Sequence, residues 1–451
     1  MHTTLKFSIG ETISDSVISS DLSGQSIIKD KDDISGESDA EGVTSFVYKD
    51  ASSGEGVMVD CGASPAMKRD PVPIIAGLFE RHNIKHVCLS HAHFDHMNGL
   101  HIIGDNNTTV HLSQLAARYV HRELERHGIR RAASQFKERI FIPVNDRFTA
   151  KDHLSIGPFK VVPILVPHAI SESCMLLIMN SNGRAALHQG DAKMRGMDWQ
   201  EELLVRDRLS QIGQFGIVDV MHVDNLNCHR PGFTPEESGV CGSLGRIIET
   251  TKGRVVIGMF ATNLRRIKAV SDMALMLYRD VEFAGSSMRF AKELLEEEDG
   301  KFPNRRKSNP VIFTSGCQGE PDSVLWREAE GVDAPLGLGK GDTVIFSSHK
   351  IPGNEQRIAA TVQKLLAKGC RVIVNQGEVR GLRLDPEKVE EAFTHVSGHG
   401  QRGDVETALD LVRPRAVIPS IRRGPQIKAF REICAARNIK IEEPADNYFV
   451  L

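Results

Sequence analysis

Three histidines and one aspartate fall within the six residues 91–96, which read HAHFDH. The apolar run before them, residues 84–90, is typical of a short buried strand, so the cluster would lie on a tight loop at a strand end. Neutral imidazoles and a carboxylate suit zinc or a similar divalent ion, and the alternating positions of His91 and His93 let two ligands share one face. Some clustering is expected by chance among 18 histidines, but four ligand side chains at this density predict a metal site.

Further strand ends carry residues of the same ligand types. One apolar run ends shortly before His168, and another ends three residues before Asp191, where a glycine permits a tight turn. Two more histidines, His395 and His399, follow near the C-terminal end, and taken alone they could equally be ordinary polar loop residues. The sequence thus supplies additional candidate ligands in chain order.

The elements that must position these side chains alternate between strands and helices. Short apolar runs and helical patterns follow one another from residue 45 onward, which indicates α/β organisation. Strands are predicted at 56–60, 84–90, 161–166, 183–188 and 416–419, and helices at 72–82, 112–125 and 426–437. Segment 20–42 is rich in Ser, Asp, Gly and Lys without periodicity, which predicts a flexible insertion.

Strand–helix units repeat between residues 234 and 386, and this repetition predicts a parallel sheet of its own. The predicted strands are 254–260, 310–314, 342–347 and 371–374. Several elements of this region end in small polar or glycine-rich loops, and loops at the carboxyl ends of parallel strands form the usual ligand crevice. A single loop of this kind is more often a plain turn, but four at equivalent positions predict a ligand-binding edge.

Composition limits the class of protein. A chain of 451 residues predicts two or more domains, and 40% hydrophobic with 25% charged residues is ordinary for a soluble protein. No apolar run is long enough to span a bilayer and no secretory signal is visible, so no membrane association and a cytoplasmic location are expected. Eight cysteines without a CxxC pair predict reduced core thiols. A net charge of -3 means that any nucleic-acid binding needs local basic patches.

The ordered motifs resemble those of a known family. HAHFDH resembles the HxHxDH signature of the metallo-β-lactamase superfamily, with Asp60, His168 and Asp191 at its other motif positions. Four later segments resemble the β-CASP branch, and specifically the ribonuclease J family: FATN at 260–263, GCQGEP at 316–321, IPGNE at 351–355 and HVSGH at 395–399. The resemblance covers the chain from about residue 45 to its end.

The resemblance implies a metallo-β-lactamase αββα sandwich interrupted by a β-CASP α/β domain with a parallel sheet. Residues 1–233 and 389–451 would be the two parts of the sandwich, and residues 234–388 the β-CASP domain. RNA would lie in the cleft between the two domains.

The same resemblance implies two metal ions. One would be held by His91, His93 and His168, the other by Asp95 and His96, and Asp191 would bridge both. Zn²⁺ is the implied metal, with Mn²⁺ or Mg²⁺ as alternatives. Two cations about 4 Å apart can activate a hydroxide and clamp the scissile phosphate.

Catalytic and substrate-binding residues follow from the same comparison of motifs. Asp224 matches the first β-CASP motif and His399 the second, as a group that handles a proton or stabilises charge, beside the catalytic carboxylates Asp95 and Asp191. The residues expected to bind substrate are Asn263, Ser287, Gln318, His395, Ser397 and Gly398.

Two departures from the family pattern bear on these expectations. Segment 419–423 reads PSIRR where the family has a PVHGE-like segment, so Ile421 stands in place of a histidine that completes the second metal's shell. His349, which stands where the family often has serine, is one alternative ligand for that metal. Ser286 replaces an arginine suited to gripping a phosphate, which leaves the need for a 5′-monophosphate end open.

The function implied is a metal-dependent ribonuclease of the ribonuclease J type, acting 5′ to 3′, endonucleolytically, or both, with RNA as its partner. Ile421 and Ser286 keep open a second class, an RNA-binding or assembly protein with a degenerate second metal site. A hydrolase of small molecules and a DNA substrate are lesser alternatives, because a large insert suits a polymer. The oligomeric state stays open, with a homodimer among the alternatives.

Overall fold

The structure, a computed structural model, describes two compact units. The described residues are 43–63, 70, 72–103, 107–126, 136–149, 151–216, 218–303, 309–444 and 447–451. The predicted insertion at 20–42 lies outside them. One unit contains the described residues from Val43 to Thr234 together with Gly398–Leu451, and the other contains Pro235–Ser397. The chain therefore changes unit at 234/235 and 397/398, while the domain boundaries 233/234 and 388/389 stay predictions.

The strands are short and are numbered in chain order. They are β1 (Phe46–Lys49), β2 (Gly56–Val59), β3 (Ile84–Cys88), β4 (Thr109–Ser113), β5 (Lys137–Phe141), β6 (Leu154–Ile156), β7 (Phe159–Leu165), β8 (Cys174–Asn180), β9 (Ala185–His188), β10 (Val220–Val223), β11 (Val255–Gly258), β12 (Val281–Ala284), β13 (Val311–Thr314), β14 (Thr343–Phe346), β15 (Arg371–Asn375), β16 (Val389–Ala392), β17 (Ala416–Pro419), β18 (Lys440–Ile441) and β19 (Tyr448–Val450).

Two mixed sheets form the centre of the first unit. Their strand orders are β19-β1-β2-β3-β4-β5 and β18-β17-β10-β9-β8-β7-β6. Alternating apolar side chains of both sheets, among them Phe46 and Val59 of the first and Val161 and Ile178 of the second, share one buried cluster. The sheets therefore pack face to face, because each buries one apolar face against the other.

Helices cover the outer faces of these two sheets. Val72–His82 and Gln114–Arg126 pack on the first sheet, and a four-residue helix, Phe94–Met97, with a 3₁₀ turn, Leu100–Ile102, follows β3. Trp199–Phe215, Arg402–Val412 and Gly424–Ala435 bury Leu209, Leu409 and Phe430 in a second core against the other sheet. The predicted αββα sandwich is confirmed.

The second unit contains one fully parallel sheet, as predicted. Its strand order is β12-β13-β11-β14-β15-β16, and all five pairings are parallel. The helices are Glu237–Thr250, Leu264–Met276, Ser286–Asp299, Val324–Glu330, Glu355–Ala367 and Glu378–Gly381. Val256, Val344 and Val372 of the sheet pack with Leu325 and Leu365 of the helices in a core of their own.

The cysteines lie in the interior of the protein. All eight cysteines are buried and none is in a disulfide, as expected for reduced core thiols. None of the helices in the described part of the chain is long and apolar enough to cross a membrane.

Candidate metal centre

The candidate ligands of the first unit follow the carboxyl ends of three strands. His91 and His93 follow β3, His168 follows β7, and Asp191 follows β9. Strands β7 and β9 both run antiparallel to β8, so their carboxyl ends meet at one edge of the sheet. The sequence predicted a loop for the whole HAHFDH cluster, but Asp95 lies on the short helix Phe94–Met97.

Four of the predicted ligands converge on one point. His93 Nδ1 lies 3.1 Å from His91 Nε2 and 3.0 Å from His168 Nε2. Asp191 Oδ2 lies 3.7 Å from His91 Nε2 and 3.8 Å from His168 Nε2. One ligand atom from each of the four residues lies within 4.8 Å of all the others.

The opposite ring nitrogens hold their protons away from the cluster. His168 Nδ1 donates to the Gly398 carbonyl at 2.9 Å, which places the proton on Nδ1 because a carbonyl only accepts. His91 Nδ1 lies 2.9 Å from Ser90 Oγ, which itself donates to Asp60 Oδ2 at 2.8 Å. The Nε2 lone pairs of both neutral rings therefore face inward, as metal-binding histidines require.

Burial favours the neutral state of these histidines. Desolvation and neighbouring imidazoles hold the pKa of His91 and of His168 well below the usual range, and burial lowers the pKa of His93 to about 4. Three neutral imidazoles facing one carboxylate are a donor set that fits a divalent transition ion.

His96 lies on the other side of Asp191. Its Nε2 lies 3.3 Å from Asp191 Oδ2 and 3.8 Å from Asp95 Oδ2, and its Nδ1 lies 2.8 Å from Asp60 Oδ2. Burial lowers the pKa of His96, but these carboxylates outweigh burial and raise the pKa well above its usual value. His96 therefore lies among three carboxylates, those of Asp60, Asp95 and Asp191.

Asp60 holds Ser90 and His96 in place beside the candidate ligands. The sequence motif marked the position of Asp60 but did not indicate this role. Its carboxylate accepts hydrogen bonds from Ser90 N at 2.7 Å and from Ser90 Oγ at 2.8 Å, in addition to its contact with His96. Its backbone is left-handed, with φ of 57°. A non-glycine residue adopts this conformation at a cost, which the carboxylate's hydrogen bonds offset.

Ile421 makes its polar contacts in this unit through its backbone N–H and carbonyl. Its N–H donates to Asn225 Oδ1 at 2.7 Å, and its carbonyl accepts from Asn225 Nδ2 at 2.9 Å. An aliphatic side chain cannot bind a metal. His349, the alternative ligand, belongs to the second unit, where it pairs with Glu378.

His399 is held between two carboxylates. Its Nδ1 lies 2.8 Å from Asp224 Oδ2, and its Nε2 lies 3.8 Å from Asp191 Oδ2. Burial lowers the pKa of His399, but Asp224 and Asp191 outweigh it and raise the pKa to about 9.

The other predicted substrate residues, apart from Gly398, lie in the second unit. Asn263 caps the helix Leu264–Met276 by accepting from Arg266 N at 3.1 Å. Gln318 is buried, donates to the His349 carbonyl at 2.9 Å and accepts from Ile351 N at 2.8 Å. The side chains of Asn263 and Gln318 therefore bind backbone groups within the second unit. Ser287 lies in the first turn of a helix, and Ser397 and His395 are partly buried.

Sequence reasoning missed some buried polar contacts. The rings of His188 and His222 stack at 4.4 Å in the sandwich, and His188 Nδ1 lies 3.1 Å from the Tyr48 hydroxyl. Arg266 pairs with Glu237 in the second unit. His188 and His222 are register partners on the neighbouring parallel strands β9 and β10, whereas no local pattern links Arg266 with Glu237.

Two known protein families match this sandwich and the parallel-sheet unit. The profile of the metallo-beta-lactamase superfamily matches residues 38–179, and that of "Ribonuclease J, beta-CASP domain" matches residues 252–365. These two matches confirm the resemblance that the motifs predicted, to the metallo-β-lactamase superfamily and to its β-CASP branch.

Curated relatives carry the name ribonuclease J. The protein of Sinorhizobium meliloti is 31% identical over 399 residues, which cover 84% of this chain and 65% of the relative. That of Thermus thermophilus is 29% identical, covering 77% and 60%, and ribonuclease J2 of Bacillus subtilis is 27% identical, covering 82% and 64%. The chain thus spans slightly less than two thirds of these relatives.

A solved structure supports the fold alone. A protein of unknown function from Enterococcus faecalis superimposes with a TM-score of 0.59 at 13% identity, covering 89% of this chain and 97% of that one.

Proposed function

We propose that this protein is a metal-dependent ribonuclease of the ribonuclease J type that hydrolyses RNA phosphodiesters in RNA processing or decay. One observation carries the proposal: Asp191 Oδ2 lies 3.3 to 3.8 Å from the Nε2 atoms of four histidines, namely His91, His96, His168 and His399. A single carboxylate oxygen amid imidazoles suits a ligand shared by two cations. The names of the curated relatives support RNA as the substrate.

The metal ligands are assigned by this proposal. His91, His93 and His168 would hold one ion, Asp95 and His96 would hold the other, and Asp191 would serve both, with Zn²⁺ as the expected metal and Mn²⁺ or Mg²⁺ as alternatives. Divalent cations at these positions would activate water and neutralise charge on the phosphodiester.

His399 handles the proton in this proposal. The ring is fixed through Nδ1 by Asp224, so the proton to be transferred is assigned to Nε2. Loss of the leaving oxygen needs a proton, which Nε2 supplies. Asp224 stabilises the charged ring and fixes its orientation, the part that a buried carboxylate plays for a catalytic histidine.

The experiment measures metal content and RNA cleavage together. Purified protein is analysed for bound metal and incubated with RNA labelled at its 5′ end, bearing monophosphate, triphosphate or hydroxyl, with a DNA control. We expect bound divalent metal and cleavage of RNA that a chelator stops. Metal-free protein that leaves every RNA intact would sink the proposal, and preference among the ends separates 5′ to 3′ degradation from internal cleavage.

Ile421 favours one second candidate, an RNA-binding or assembly protein with a degenerate second metal site. This alternative predicts RNA binding without cleavage at any metal concentration. The cytoplasm is the proposed location, and sedimentation of the purified protein would separate a monomer from a homodimer.

A further inference from the structure

Asp404 is a buried carboxylate that accepts hydrogen bonds from three segments of the first unit. Its Oδ1 accepts from Met194 N at 2.8 Å, and its Oδ2 accepts from Thr234 N at 2.8 Å and from Gln401 N at 2.9 Å. Burial raises the pKa of this carboxyl group, and the three N–H donors oppose that rise. The bond with Gln401 is an ordinary capping-box contact at the start of a helix. The other two bonds reach outside that helix.

Thr234 passes this constraint on to His399. Its backbone N–H is held by Asp404, and its hydroxyl donates to the His399 carbonyl at 2.8 Å. The same hydroxyl accepts from Gln401 N at 3.0 Å. The chain leaves the first unit after Thr234 and returns to it at Gly398. One carboxylate therefore fixes the backbone on both sides of this excursion.

Met194 passes the same constraint on to the loop of the shared carboxylate. The N–H that Asp404 holds lies three residues after Asp191. Gly400 N donates to the Ala192 carbonyl at 2.9 Å, which joins this loop to the segment of the proton-handling histidine. A Cβ atom on Gly400 would lie 2.7 Å from Asp404 Cβ, so the two segments meet closely at the carboxylate.

We propose that Asp404 is a positioning residue that sets the distance between His399 and Asp191 by holding the loops that carry them. His399 Nε2 lies 3.8 Å from Asp191 Oδ2, and Asp404 acts on both residues through backbone N–H groups of their loops. A consequence for RNA cleavage rests on the proposed function, whereas the positions of the ring and of the Asp191 loop do not.

Asp404→Asn tests the carboxylate. An amide keeps one acceptor oxygen and turns its NH₂ group toward an N–H donor, so at least one of the three bonds is lost. We expect zinc affinity, measured against a chromophoric chelator, to fall about tenfold, the scale of losing an outer contact. The ¹⁵N-labelled ring signals of His399 in metal-free protein, assigned by their loss in His399→Gln, should also shift. Asp410→Asn, an exposed position on the same helix, is the control and keeps both properties.

Thr234→Val separates positioning from a general loss of stability. Valine has a similar shape but no hydroxyl, so the bond to the His399 carbonyl is lost while the bond from Met194 to Asp404 remains. We expect shifted His399 ring signals with native zinc affinity, and native ring signals in Thr234→Ser, which keeps the hydroxyl. Native ring signals in folded Thr234→Val overturn the inference even where Asp404→Asn does not fold. An equal loss of zinc affinity in Thr234→Val and Asp404→Asn also overturns it.

RNA cleavage distinguishes failure of this inference from failure of the proposed function. In Asp404→Asn we expect kcat to fall at least about tenfold with KM little changed, because the reacting groups move while the RNA-binding surface does not. Native protein that binds zinc and leaves RNA intact would overturn the proposed function, and the ring signals and zinc affinities would then decide the positioning role alone. Slower cleavage by Asp404→Asn with native ring signals and native zinc affinity overturns the positioning role.

Discussion

Each histidine that bonds a fixed acceptor in the metal centre does so through the ring nitrogen that faces away from the cluster. Gly398 O and Asp60 hold His168 and His96, and Ser90 holds His91. These contacts set the ring orientation and the tautomer before any ion binds. The cost of binding is lowered because the ligands lose little side-chain freedom, and removing such an outer contact typically weakens metal affinity by about 10- to 100-fold.

Replacing the shared carboxylate is the most direct test of the centre. Asp191→Ala removes the one oxygen that faces four imidazoles, so we expect loss of bound metal and RNA cleavage at background level. Metal content is read by elemental analysis and cleavage by gel. Asp299→Ala, which removes an exposed carboxylate, is the control and keeps both properties. Unchanged cleavage in Asp191→Ala would place the chemistry elsewhere.

Ile421→His tests the departure from the family pattern. The new imidazole adds a nitrogen ligand on the loop that Asn225 holds, so a second divalent ion should bind at least tenfold more tightly. Calorimetric titration of metal-free protein measures the affinity. Ile421→Leu, which keeps an aliphatic side chain, should titrate like the native protein. Equal affinities in all three proteins would mean that this position does not complete the second site.

At the scale of the element, the segment from His395 to His399 depends on close backbone approach. A Cβ atom on Gly398 would lie 2.6 Å from His168 Cε1 and Nδ1 and 2.9 Å from Ala169 N. The ring is buried and tethered and cannot withdraw. Glycine is therefore required here by the packing of His168 rather than by a positive φ.

Gly398→Ala should displace His168 and weaken metal binding by at least about tenfold, the scale of losing an outer contact. Competition with a chromophoric chelator measures the affinity. Gly242→Ala is the matched control, because the nearest atom to its added Cβ, Arg246 Nη1, is 3.9 Å away. Native affinity in Gly398→Ala would show that the backbone relaxes without moving the ligand.

Local patterns were sufficient for most elements around the site. The helix 72–82 and the strand 416–419 have the predicted bounds, because an amphipathic repeat and a short apolar run specify them locally. The helix predicted at 112–125 begins two residues later, since Leu112 and Ser113 pair with β5 in strand β4. Strand β16 was not predicted, because it lies at the sheet edge and contains Glu390 and Glu391.

Long-range polar contacts could not be predicted in the same way. The ligand cluster was found because its residues occur in a known order of motifs. Arg266 and Glu237 are 29 positions apart, and their pairing depends on how two helices pack. The orientation of His168 by Gly398 joins residues 230 positions apart. Such contacts depend on the tertiary fold, which no local spacing encodes.

At the scale of the whole molecule, each compact unit has its own hydrophobic core. Leu409 packs in the sandwich core and Leu365 in the core of the 235–397 unit. Units with separate cores can unfold in separate steps. The two tryptophans are distributed between them, since Trp199 lies in the first unit and Trp326 in the second.

Core truncations should therefore act on one unit at a time. In a Trp199→Phe background, Leu365→Ala should destabilise the transition reported by Trp326 fluorescence by about 2–5 kcal/mol, the cost of a buried cavity. Leu409→Ala, a matched truncation in the other core, should leave that transition in place. Denaturant titration makes the comparison, and equal shifts in both variants would indicate a single cooperative unfolding step.

Strand β1 pairs with β19, so the first sheet cannot be completed early in the synthesis of the chain. The register joins Val47 to Tyr448, so the first sheet closes only when a strand made about four hundred residues later has left the ribosome. Residues 235–397 are complete before that and can fold while translation continues. Gly398 and His399 come afterwards, so the hydrogen bond that orients His168 and the contact of His399 with Asp224 form only after most of the chain has been synthesised.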